Sequence, residues 1–139
     1  MKIKLYKIND AVKFKAVNEQ QNEIILDGSP SIGGLNEGMR PMETLLSALA
    51  GCSAMDVVSL LNKMRQPLEG LEIEVDGTRD EKQVPAIFTH IHLKFSLIGN
   101  LDEKKVKKAI SMSVDQYCSV ARMLESKATI EWSFSIKAR

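Results

Sequence analysis

The segment PMETLLSALAGCSAMDVVSLLNKM, which begins at Pro41, constrains this chain more than any other part of it. It is the longest apolar stretch and has the length of a helix. Proline suits the first helical position, where an N–H would go unbonded anyway, and Glu43 lies in the first turn, where the helix dipole favours an anion. Lys63 and Arg65 suit the opposite end of the same dipole, and the pattern stops before Pro67. Apolar residues occupy most of the circumference, which predicts a central, largely buried helix.

A chain of 139 residues is large enough to bury such a helix in one core, and we read residues 1–139 as a single domain. A hydrophobic fraction of 44% with 27% charged residues is that of a globular protein. Nineteen basic against eighteen acidic side chains leave a net charge of +1. That removes the electrostatic warrant for nucleic acid, which requires a basic excess on one face. The one basic cluster, Lys104, Lys105, Lys107 and Lys108, reads as the outer face of a short helix. The start, MKIKLYKIND, lacks the apolar core of a signal peptide, and no uninterrupted apolar run reaches the length of a membrane span. These readings predict a cytoplasmic protein whose thiols stay reduced. Two cysteines without a CxxC pair make no four-cysteine metal site, so Cys52 and Cys118 are each a buried apolar residue or a reactive thiol.

Around the helix, alternation predicts strands. Two lie within residues 2–17 with a turn at Asn9-Asp10, and a third runs over 23–27. The stretch GSPSIGGLNEG over 28–38 is a loop without the spacing of a phosphate-binding motif. Leu71, Ile73 and Val75 mark a fourth strand, and Ile91, Leu93, Phe95 and Leu97 a fifth. Ile130, Trp132, Phe134 and Ile136 mark a sixth with one buried face. Asn100 with Glu103 reads as a capping box opening a helix over 101–114, and a short helix over 116–125 follows. The fold class is α+β.

Cys52, Asp56, Ser59 and Lys63 fall within roughly 60° of one another on the long helix. This polar stripe reads either as a strip facing solvent, with Cys52 a small filler, or as the wall of a cleft in which Cys52 is the nucleophile. Arg122 stands four residues after Cys118. On a helix it would share that face and favour the thiolate, or else pair with Asp115 or Glu125 at the surface. His90 and His92 share one side of a strand with Lys94, which reads as a solvated face rather than a metal site.

PMETLLSALAGCSAMDVVSLL, followed 66 positions after its cysteine by that of DQYCSVARML, resembles the OsmC/Ohr superfamily of thiol-dependent hydroperoxide reductases, and within it the YhfA-like branch. Arg65-Gln66, FTHIHLKF at 88–95 and the closing strand extend the similarity over essentially the whole chain. The resemblance implies an intertwined homodimer with strongly bent antiparallel sheets around long central helices. It also implies an active site at the subunit interface, and no cofactor or metal. Cys52 matches the family's peroxidatic cysteine and Cys118 its resolving cysteine, with Glu43, Asp56 and Arg122 as supporting candidates. The implied partners are a second copy of the chain, a small hydroperoxide and a dithiol reductant, with neither nucleic acid nor membrane.

The chain departs from the family pattern in one respect. The Ohr type uses an arginine from the amino-terminal strands, paired with a glutamate directly after the helix-opening proline. Here no arginine precedes Arg40, the residue after Pro41 is Met42, and Glu43 lies nine residues from Cys52, on the opposite side of a straight helix. Lys13, Lys15, Arg40 or Arg122 are the cations available to substitute. Two functions are thus expected to compete. One is a reductase of organic hydroperoxides working through Cys52 and Cys118. The other is a protein of the same fold that binds a small apolar or acyl ligand or senses redox state.

Overall fold

The computed structural model describes residues 1–138, in two compact units: residues 1–45, and the remainder from Leu46. In the first unit, β1 (Ile3–Lys7), β2 (Phe14–Asn18) and β3 (Glu23–Leu26) form an antiparallel meander in that order. The Asn9 side chain makes the first turn by accepting the N–H groups of Ala11 and Lys13.

The glycine-rich loop after β3 closes on a carboxylate of the chain itself. Asp27, 2% exposed, accepts the Gly28 N–H at 2.8 Å through one oxygen. Its other oxygen accepts the Leu35 and Glu37 N–H groups, each at 3.1 Å. Gly33 has φ +85°, and a Cβ at Gly34 would stand 1.9 Å from the Gly28 carbonyl oxygen, so the tight coil requires glycine at both. The amides that could have cradled a phosphate are used internally.

Helix α1 (Pro41–Lys63) has Arg40 as its cap residue. The Glu43 carboxylate reaches back to the Arg40 N–H at 2.8 Å, the reciprocal half of a capping box. The helix ends on a Schellman motif: Gln66 N–H bonds the Leu61 carbonyl, Arg65 N–H bonds that of Asn62, and Arg65 sits at φ +55°. By length and composition alone α1 is long and apolar enough to cross a membrane, a test that the core helix of a soluble protein also passes, and Asp56 interrupts its apolar run.

The second unit is built on a sheet of order β4 (Gly70–Arg79), β5 (Phe88–Ile98) and β6 (Thr129–Lys137). The first pair is antiparallel, but β5 and β6 run parallel, a departure from the antiparallel sheets expected. A parallel pair needs a crossover rather than a hairpin, and the helical segment between these strands supplies it. That segment holds α2 (Glu103–Met112), a π-turn over Ser113–Tyr117, and α3 (Ser119–Leu124). Asp102, not Asn100, caps α2, accepting the Lys105 N–H at 3.1 Å. The predicted helix over 101–114 therefore starts later and ends in the π-turn.

The core of this unit comprises Ile91, Leu93, Phe95 and Leu97 of β5, Leu49, Val57 and Leu61 of α1 and Val106, Ala109 and Ile110 of α2, all 0% exposed. Each large apolar side chain among them contributes about 1.5–3 kcal/mol. The buried residues of α1 are Leu49, Ser53, Val57 and Leu61, a single stripe at four-residue spacing. This corrects the expectation of a largely buried helix: Met55 is 76% exposed and Val58 is exposed beside it, because this chain's own elements cover only one side. The apolar residues of β6 are half-buried for the same reason.

Candidate functional site

The buried stripe of α1 brings one polar group, the Ser53 hydroxyl, into the core next to Cys52. Cys52 itself is half-buried and reduced. From the crossover comes Cys118, 2% exposed and also reduced. It does not lie within a helix as its spacing from Arg122 suggests. Its extended backbone (φ −66°, ψ 107°) makes it the N-cap of α3, and its sulfur accepts the Ala121 N–H at 3.4 Å. The π-turn sets this up: the widened coil over Ser113–Tyr117 ends where the Cys118 N–H bonds the Ser113 carbonyl at 2.8 Å, and α3 begins at Ser119.

Three hydrogen bonds join these residues in a ring. Ser53 Oγ donates to Cys118 Sγ at 3.5 Å, the Cys118 N–H donates to the Ser113 carbonyl, and Ser113 Oγ donates to the Ser53 carbonyl at 3.2 Å. Ser113 Oγ also lies 3.3 Å from an Asp56 carboxylate oxygen, which ties the half-buried Asp56 to the rim of the same cluster. The Cys52 thiol lies near enough to Cys118 to perturb its titration. Burial pushes the Cys118 pKa above the usual thiol value. The Ser53 hydroxyl and the Ala121 N–H pull against that shift, and the adjoining Cys52 thiol adds to it.

The structure thus gathers Cys52, Cys118 and Asp56. The other members of the predicted stripe, Ser59 and Lys63, are exposed. The Arg122 guanidinium is held at the surface by the Glu125 carboxylate at 2.7 Å and the Asp115 carbonyl at 2.8 Å. Glu43 serves the helix cap and the Arg40 guanidinium. Lys13 pairs with Glu37, and Lys15 with Glu23. Each cation named as a substitute therefore has a carboxylate of its own. His90 lies 3.2 Å from Glu131 on the outer face of the second sheet. Among the described residues, no three His, Cys, Asp or Glu side chains are grouped to hold a metal. Ser53 and Ser113 were missed from the sequence. A serine in the apolar stripe at position 53, between Leu49 and Val57, was the available signal.

Residues 34–133 match the family model described as OsmC-like protein. The chain is 36% identical to the protein YhfA of Escherichia coli K12 over 130 residues, 93% of each chain. The crystal structure of a hypothetical protein from Aquifex aeolicus superposes with a TM-score of 0.86 at 29% identity, covering 99% of this chain and 96% of that one. That of the organic hydroperoxide resistance protein OhrB of Bacillus subtilis does so with a TM-score of 0.68 at 11% identity, covering 97% and 98%.

Proposed function

The chain belongs to the OsmC-like protein family, and on that premise we propose that it reduces organic hydroperoxides through a Cys52/Cys118 redox pair. The observation that carries this reading is the pairing of an accessible thiol with a buried one beside it. The hydroperoxide resistance named for the Bacillus subtilis neighbour points to the same class of substrate. In this reading the Cys52 thiolate attacks the outer peroxide oxygen and the O–O bond breaks. The leaving alkoxide takes a proton to become the alcohol, and Cys52 becomes a sulfenic acid. The Cys118 sulfur then displaces the sulfenic hydroxyl, which leaves as water with the Cys118 proton, and a disulfide forms. A cytoplasmic dithiol reduces it and becomes a disulfide itself. The working unit is a homodimer, whose second copy covers the exposed Met55 and Val58 face of α1.

The test is peroxide consumption with a dithiol reductant. Wild type should turn over cumene hydroperoxide and, without reductant, lose two hydrogens as the disulfide forms. Cys118→Ser should stop at sulfenic or sulfinic acid. Should Cys52→Ser consume peroxide as fast as wild type, the reading fails and a ligand-binding or sensing role takes its place.

A further inference from the structure

We propose that Ser53 is a positioning residue for the resolving thiol: its hydroxyl holds the Cys118 sulfur in place and donates to its thiolate during condensation with oxidised Cys52. The inference rests on the redox-pair reading above, but its own observation is independent of peroxide. A hydroxyl in a helix ordinarily has a carbonyl of the preceding turn within reach. That of Ser53, 0% exposed, bonds instead to a sulfur 65 residues away in sequence. The hydrogen-bonded ring fixes it there. The Ser53 carbonyl receives Ser113, whose own carbonyl receives the Cys118 N–H, so hydroxyl and sulfur cannot drift apart without breaking a buried bond.

The chemistry gives this contact a purpose. The step joins Cys118 sulfur to Cys52 sulfur, breaks the Cys52 S–O bond, and sends the hydroxyl out as water with the proton that Cys118 gives up. A buried thiol resists giving up that proton. A hydroxyl donor is the partner a thiolate needs where water has no access, and a hydrogen bond to a charged group is worth about 1.5–3 kcal/mol.

Ser53→Ala removes the donor with little change in volume. In a Cys52→Ser background, the thiolate absorbance of Cys118 should titrate at a pKa about one unit higher, a tenfold smaller thiolate fraction at neutral pH. A more basic thiolate is more nucleophilic, so disulfide formation after one equivalent of cumene hydroperoxide should slow only about threefold, and the deficit should close at alkaline pH. Ser53→Thr keeps the donor and should restore the wild-type titration. An unshifted titration in Ser53→Ala, or a Ser53→Thr titration like that of the alanine variant, overturns the inference. If wild type forms no disulfide, the redox reading fails by itself, and the titration still decides the role of Ser53.

Discussion

The two perturbed side chains pull stability in opposite directions with pH. The Glu37 N–H above all, with those of Gly28 and Leu35 and the nearby Lys13, holds the Asp27 carboxyl below the usual carboxylate range, against the opposing effect of burial. A depressed carboxyl adds stability that is present above its unfolded pKa and lost as pH falls through the folded one. Wild type should therefore lose melting temperature from about pH 4 downward, and Asp27→Asn should show a smaller loss from a lower starting value. Thermal melts across that range read the difference directly. Cys118 is the mirror case. Its raised pKa adds stability that is complete below the unfolded thiol value and lost as pH rises through the folded one. Cys118→Ala should accordingly flatten the alkaline limb of the same stability profile. Neither role was legible in the residue string. An aspartate before a glycine-rich loop signals a turn, but not which amides it will gather, and Ser53 and Cys118 meet only through the fold.

The elements show where sequence periodicity succeeds and where it stops. Ile91, Leu93, Phe95 and Leu97, whose alternation predicts the fifth strand, are all buried, because alternation directly reports which side of a strand meets the core. Caps were less legible: Asn100 and Asp102 both precede Glu103, and only backbone geometry picks Asp102. The π-turn has no periodic signature, so spacing alone sets Cys118 inside a helix that begins one residue after it. Arg65-Gln66, part of the family resemblance, gains a structural explanation here. Arg65 takes the left-handed position that ends α1, and the Gln66 side chain accepts the Asp102 N–H at 2.8 Å, joining that end to the start of α2. Arg65→Gly should raise stability by about 1 kcal/mol by relieving a side chain held at positive φ. Chemical denaturation at constant m-value is the measurement. Leu49→Asp, which buries an unpaired carboxylate, should cost several kcal/mol and remove the soluble folded protein. A soluble, folded Leu49→Asp would mean the buried side of α1 is misassigned.

For the molecule as a whole, the long apolar helix was legible at once, but the side of it that one chain leaves open was not. A sequence reports how much apolar surface exists, not how much of it one copy can cover. The proposed homodimer makes a plain prediction: light scattering should give twice the 15.5 kDa mass of the chain, and Met55→Asp should shift it toward monomer while leaving far-ultraviolet circular dichroism intact. The parallel pairing of β5 with β6 carries a different consequence, one of time. β4 and β5 are neighbours in sequence and zip together as a hairpin, whereas β6 can join only after the crossover carrying α2 and α3 has been traversed. The entropy of closing that loop is spent before any β5–β6 bond repays it. Until then β5 is an open edge, available to the β5 of another unfinished chain. Refolding yield should thus fall with protein concentration. In pulse-labelled hydrogen exchange, the amides of β6 should be protected later than those facing between β4 and β5.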